Sequence, residues 1–321
     1  MKYAHIVRKI MELGRETLNG TNTQKDSELP PTLGIEPITG HYVNVEIDEQ
    51  VYRIYYEESG KGDDLLFLHT AGSDSRQYYH LMNNSKLLKD WHMVTFDMPL
   101  HGKSLPPSNF IPGTYRLTTD FYTKVICKVV EALGLNKPVV VGSSMSGEIC
   151  LELAYRFPDL FKGVVACEAC DYIEGRHVGW TKDPNINESI FVPEWIHGLM
   201  SPFTADKYKQ EIMWEYSQGG HGVFYGDIAF YSGDWDAREY IHKIDTSRCP
   251  VYMLTGEYDF SCTPEMSEKT AKKIKGAKFT EMKGIGHFPM VEDPDLYLSY
   301  LLPVLQEIKI MEKNSGEQIL K

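Results

Sequence analysis

From residue 41 the chain alternates apolar and polar side chains over two short stretches, 41–48 (HYVNVEID) and 51–58 (VYRIYYEE). A period of two marks strands with one buried face, and the polar residues at 48–50 predict a turn between them. Beyond this hairpin the pattern changes. Short, continuous apolar runs appear at 64–69, 92–97, 138–142, 163–167 and 250–256, as expected of strands covered on both faces in a parallel sheet. Between them lie segments of helical period, clearest at 118–134 and 145–156. Thr118 or Thr119 can cap the first of these helices and Gly134 can end it. Strands alternating with helices predict an α/β protein with a doubly wound, mostly parallel sheet.

One stretch breaks the alternation. Residues 172–249 hold no run suited to a buried strand, yet contain Trp180, Trp195, Trp214 and Trp235 together with six Tyr and four Phe. An aromatic insertion between two core strands predicts a mostly helical cap. Most of its rings are expected to pack the cap onto the core, and Trp195 and Trp214 are taken as candidates for lining a binding pocket. The expected organisation is an N-terminal helix and arm at 1–40, a core at 41–171 and 250–312, the cap at 172–249 and a tail at 313–321. The first eighteen residues read as an amphipathic helix, with Ile6, Ile10 and Leu13 apolar and Arg8, Lys9 and Glu12 interrupting them, and not as the apolar core of a signal peptide.

Composition narrows the function. A net charge of −12 without a basic run argues against nucleic acid or an anionic membrane as the main partner. No run of eighteen or more apolar residues reads as a membrane span. Six cysteines spread along 321 residues are not a disulfide framework, and a cytoplasmic setting is the expectation. Cys167-x-x-Cys170 has metal or redox spacing, but it closes a core strand with no second pair, so no metal site is predicted. No Gly-x-Gly-x-x-Gly or Walker-type loop suggests a nucleotide cofactor.

The chemistry concentrates at strand ends. Val139-Val140-Val141-Gly142-Ser143-Ser144-Met145-Ser146-Gly147 runs a buried strand into a helix through small residues, with Ser144 two positions after a glycine. That spacing fits a nucleophile elbow, a turn tight enough to lift one hydroxyl above the sheet. Three further motifs follow strands: His69-Thr70-Ala71-Gly72, Asp97-Met98-Pro99-Leu100-His101-Gly102-Lys103-Ser104, and Lys283-Gly284-Ile285-Gly286-His287-Phe288-Pro289. Asp259 ends the strand segment Leu254-Thr255-Gly256-Glu257-Tyr258.

In these motifs and their order the chain resembles the α/β-hydrolase superfamily over about residues 41–312, with Thr70 and Ser146 standing where that family usually has glycine. The resemblance implies Ser144 as nucleophile, His287 as base and Asp259 as acid, in the chain order of this fold. The N–H groups of Ala71 and Met145 are then the oxyanion donors. A serine hydroxyl needs such a base, and imidazole, with an ordinary pKa of about 6.5, serves near neutrality. Glu168 is the rival acid. It ends the strand after the elbow helix, where fungal lactonases acting on zearalenone, similar also in the His-Phe-Pro run, draw theirs. Thr70, Arg76 and Phe288 join Trp195 and Trp214 as expected substrate contacts, Arg76 as a partner for a carboxylate.

The expected activity is hydrolysis of a moderately large, apolar carboxylic ester or lactone through an acyl-serine, with no metal or organic cofactor; a homodimer is compatible with it. Two alternatives stay open. The same residues support hydrolysis of a carbon–carbon bond beside a carbonyl, and a receptor-like member would bind a small apolar ligand with little turnover.

Overall fold

The computed structural model describes residues 34–319, except 112, 178, 180–182 and 184, with side chains as far as residue 311. The expected N-terminal helix, most of the arm and Trp180 lie outside the described residues, as do the side chains of the tail.

Eight strands form one sheet in the order β1-β2-β4-β3-β5-β6-β7-β8. The hairpin of β1 (Thr39–Ile47) and β2 (Gln50–Gly60) is antiparallel and in register, with Ile47 opposite Gln50. Asp48 and Glu49 have φ of 50° and 64°, the two left-handed residues whose turn matches the twist of paired strands. β2 also runs antiparallel to β4 (Trp91–Phe96). From β4 onward neighbouring strands are parallel: β3 (Asp63–Leu68), β5 (Val139–Ser143), β6 (Gly163–Cys167), β7 (Val251–Gly256) and β8 (Lys278–Met282).

The continuous apolar runs sit where both faces are covered. Leu65, Leu66, Phe67, Val139 to Val141, Val164 and Val165 are completely buried. Helix α1 (Thr119–Leu133) packs on β1, and α2 (Met145–Arg156) packs on β5, β6 and α1. Thr118 caps α1, its hydroxyl accepting the Phe121 N–H at 3.3 Å, and Gly134 closes the helix with φ 66°.

The chain runs from β3 outward to β4 and then crosses back to β5 on the other side of β3. Where such an order reverses, the loops at the carboxyl ends diverge and leave a crevice. The loops that diverge here begin at His69, after β3, and at Ser144, after β5.

Between β6 and β7 the chain inserts α3 (Glu188–His197), α4 (Asp206–Tyr216) and α5 (Val223–Ala229), with no strand among the described residues. Several of its aromatic rings hold it to the core. Phe230, Tyr231 and Trp235 are buried, Phe230 meets Tyr122 of α1 edge to face at 5.5 Å, and the Trp235 indole donates to the Cys170 carbonyl at 2.9 Å. α6 (Pro264–Lys273) packs on β7 and β8, and α7 (Pro294–Ile319) ends the described chain.

Candidate active site

Ser144 stands between β5 and α2 with φ 61° and ψ −123°, a strained backbone for a residue with a Cβ. Neighbouring positions must be small for this turn to close. A Cβ on Gly147 would lie 2.1 Å from the Cys167 carbonyl oxygen on β6. The Ser144 side chain makes no capping bond to α2, so its hydroxyl is not committed to the helix. Ser143, by contrast, is buried and donates to the His287 carbonyl at 3.4 Å. Ser146 replaces the usual glycine to a purpose: its hydroxyl donates to the His69 carbonyl and accepts from the Tyr122 hydroxyl at 2.7 Å, tying the loop after β3 to the elbow.

His287 follows β8 and is buried. Its Nδ1 lies 2.8 Å from Asp259 Oδ2, and Asp259 Oδ1 accepts the N–H groups of Ser261 at 2.7 Å and Cys262 at 3.2 Å. Glu168 reaches the same place from behind. Its two oxygens accept the Gly256 N–H at 3.0 and 3.1 Å, and the ligand atoms of Glu168, Asp259 and His287 lie within 4.8 Å of one another. Burial pushes the Glu168 carboxyl well above its ordinary range, and the Asp259 charge beside it adds to this. Burial acts on Asp259 in the same sense, but His287 and a hydrogen bond from Glu168 outweigh it and hold Asp259 below its ordinary value. Two buried carboxyls this close do not both ionise; Asp259 keeps the charge and Glu168 the proton. The imidazole nitrogen therefore meets Asp259, while Glu168 meets Asp259 and not the imidazole.

The loop after β3 is fixed from several sides. Gln77 accepts the Thr70 N–H at 2.9 Å, and the Thr70 hydroxyl meets the hydroxyl of Tyr216 from α4. His69 accepts the Met98 N–H on Nε2 at 3.0 Å and donates from Nδ1 to the Thr70 carbonyl at 2.9 Å. One ring nitrogen accepts and the other donates, which is a neutral imidazole; burial, and then the charge of His101, push its pKa down to about 4. Asp227 of α5 accepts the Gly72 N–H at 2.7 Å and bonds to His101 at 2.7 Å and Tyr115 at 2.8 Å. The Ala71 N–H has no acceptor among the described residues, and Met145, first in α2, has an N–H of the kind a helix leaves unpaired. Both donors border Ser144.

A cavity of about 210 Å³ joins these groups. Thr70, Ala71, Ser144, Trp195, His287 and Phe288 line it. Ser144 and His287 face it without a direct hydrogen bond, a distance that commonly tightens only around substrate. Two expected contacts lie elsewhere. Arg76 is held by Asp74 at 2.6 and 2.8 Å and by Gln218 at 3.0 Å, with its guanidinium 5.2 Å over the Trp214 ring, and Trp214 is 61% exposed. An acid two residues earlier in the chain captures this arginine before a substrate can.

Tyr216, Phe224, Tyr231 and Arg176, which no sequence motif marks, also line the cavity. The three rings belong to the aromatic cluster of the insertion, but nothing local separates them from the rings that only pack. All six cysteines are free thiols.

A mostly parallel sheet wound on both sides, with Ser144, Asp259 and His287 at its carboxyl edge in that chain order, is the layout of the α/β-hydrolase fold. Comparison with known proteins agrees. The α/β hydrolase fold family model matches residues 64–189. An uncharacterised hydrolase of Bacillus subtilis is 22% identical over 78% of this chain and 92% of its own. A thermophilic esterase from Thermogutta terrifontis superposes with a TM-score of 0.70 at 19% identity, covering 84% of this chain and 99% of that one. The enol-lactonase from Burkholderia xenovorans gives 0.70 at 18% identity over 83% and 100%. The chain has the α/β-hydrolase fold.

Proposed function

We propose that the protein is a serine hydrolase that cleaves apolar carboxylic esters or lactones. Ser144 attacks the carbonyl while His287 takes its proton, Asp259 holds the imidazole in the tautomer that can accept and stabilises the imidazolium, and the N–H groups of Ala71 and Met145 receive the oxyanion. His287 returns the proton to the leaving oxygen; water, activated by the same base, then frees the acid from Ser144. The observation that carries this reading is the 2.8 Å contact of His287 Nδ1 with Asp259 in a cavity that Ser144 shares. The lining is largely apolar, with Trp195, Ile196, Leu199, Phe224, Ile228 and Phe288. A volume near 210 Å³, below the roughly 300–1,000 Å³ of sites for drug-sized ligands, draws the substrate toward the smaller end of the class. The esterase and lactonase named among the structural neighbours are consistent with this.

The test is a panel of aryl esters, lactones and thioesters with wild type, Ser144→Ala and Ser143→Ala. Ser144→Ala is expected to lower kcat by roughly 10³-fold or more, whereas Ser143→Ala, whose hydroxyl points to the His287 carbonyl, keeps most of the activity. Equal losses in both would misplace the nucleophile. Turnover of β-diketones but of no ester would move the reading to carbon–carbon hydrolysis, and tight binding without any turnover would move it to a receptor.

A further inference from the structure

Arg176 is the only residue with a fixed positive charge among those lining the cavity. It lies between β6 and α3, and its guanidinium rests on a wall of the cavity: Nη2 donates to the carbonyls of Phe260 at 3.2 Å and Ser261 at 3.1 Å, and Nε approaches the Ser261 hydroxyl at 3.5 Å. Its backbone N–H is bound by the Ser232 hydroxyl at 2.9 Å. All these acceptors are neutral. Arg76, Arg156, Arg238 and Arg248 each meet a carboxylate, and the chain offers 45 acidic residues against 33 Lys and Arg. Arg176 nonetheless has no acidic partner among the described residues, and the two N–H groups of Nη1 have no acceptor there. The carbonyls fix the plane of the guanidinium without cancelling its charge. A partly buried cation on an apolar wall is an incomplete pair, and a planar carboxylate is the group whose two oxygens match the guanidinium fork.

We propose that Arg176 forms an anion subsite, so that the preferred substrate is an ester or lactone bearing a carboxylate on the part of the molecule away from the reacting carbonyl. This rests on the hydrolase reading above and deepens it. The other lining side chains offer only hydroxyl, indole and imidazole groups as polar partners. A single guanidinium balances a monoanion, whereas a phosphate dianion would be left half-neutralised in a protein of net charge −12.

The experiment compares phenyl hexanoate with monophenyl adipate, esters of equal chain length that differ in a terminal carboxylate. Wild type is expected to favour the carboxylated ester in kcat/KM by about 10-fold or more, the scale of one charge-assisted hydrogen-bonded contact. Arg176→Gln should erase this preference mainly by raising KM for monophenyl adipate, and Arg176→Lys should restore part of it. Equal losses on both esters in Arg176→Gln would overturn the proposal and leave Arg176 as a brace for residues 260–261. Binding to Ser144→Ala, measured by calorimetry, separates this from failure of the hydrolase reading. Monophenyl adipate should bind that variant more tightly than phenyl hexanoate, and Ser144→Ala/Arg176→Gln should bind the two alike, whether or not the wild type turns either over. Inorganic phosphate that competes as well as adipate would overturn the carboxylate assignment.

Discussion

Two carboxyl groups stand behind His287, and the proton they share decides which one serves it. Asp259 is charged and 2.8 Å from Nδ1; Glu168 is neutral, holds the Gly256 N–H and donates to Asp259. A neutral donor behind the acid steadies the Asp259 carboxylate without adding a second charge. Replacement therefore has different outcomes at the two positions. Asp259→Asn is expected to lower kcat by about 10⁴, the scale seen when a triad aspartate becomes its amide. Glu168→Gln keeps a donor toward Asp259 and should stay within about 10-fold of wild type, a factor of about 1.4 kcal/mol, the upper end of a single net hydrogen bond. The check is kcat for both variants on one good ester; the reverse ranking would make Glu168 the acid. In the sequence, motif order favours Asp259 and leaves Glu168 as its rival, and neither residue's partners can be read there. What separates them is that Glu168, at the end of β6 with φ 50°, directs its oxygens at Gly256 while Asp259 lies beyond β7 facing the histidine. Arg76 and Arg176 differ likewise in their partners, which sequence shows only where, as with Asp74, the partner is a near neighbour.

At the level of elements, the loop carrying His287 is held by one side chain. Glu292, in the helical turn Pro289–Glu292, accepts the N–H groups of Phe288 at 2.8 Å, Gly286 at 3.1 Å and Ser201 at 2.7 Å, and the Thr204 hydroxyl at 2.7 Å. It joins the loop after β8 to the segment after α3, where the Leu199 carbonyl also accepts the His287 N–H at 3.2 Å. The loop is thus positioned by the insertion as much as by the sheet. Glu292→Gln turns an amide nitrogen toward donors, and a buried donor left unmet costs about 1–3 kcal/mol. A fall of that size in unfolding free energy from urea denaturation is expected, with a lower kcat, while Glu268→Gln, at an exposed ion pair, should stay within about 0.5 kcal/mol. An unchanged midpoint for Glu292→Gln would sink the clamp. The strands from β3 to β7 were legible because burial on both faces writes itself as apolar runs, and α1 because Thr118 and Gly134 mark its ends. β8 reads less clearly, since Lys278–Met282 lies at the sheet edge and alternates between exposed and half-buried positions until the buried Met282. The extents of α3, α4 and α5 were not legible, because rings distributed around short helices leave no single apolar stripe.

For the whole molecule, strand order was implied by motif order and not by any run of residues, and the docking of the insertion was not visible at all. That docking centres on Asp227, fully buried in α5, which reaches across to His101 after β4, Tyr115 and the Gly72 N–H. His101 donates from Nδ1 to the Pro99 carbonyl at 3.0 Å and from Nε2 to Asp227, so both nitrogens carry protons and the ring is a cation. Burial works against that charge, but Asp227, with help from Asp97, outweighs it and raises the His101 pKa above its ordinary value. Its neighbour His69, 4.8 Å away ring to ring, is pushed down to about 4 by burial and by that same cation. The two shifts act on stability with opposite sign. The raised His101 contributes stability that is fully present below the unfolded value of about 6.5 and is lost as pH rises through the folded value. For the depressed His69 the unfolded chain binds the proton first, so stability falls as pH drops from about 6.5 toward about 4. Their joint contribution is therefore greatest near the ordinary imidazole value and declines on both sides. Urea midpoints measured from pH 4.5 to 9 should show an alkaline decline in wild type that is absent in Asp227→Asn. That variant should itself be about 3–5 kcal/mol less stable at neutrality, as when one partner of a buried pair is removed. An alkaline decline of equal slope in both proteins would mean that His101 is not the group titrating, and the ion pair would then not be what fastens the insertion to the sheet.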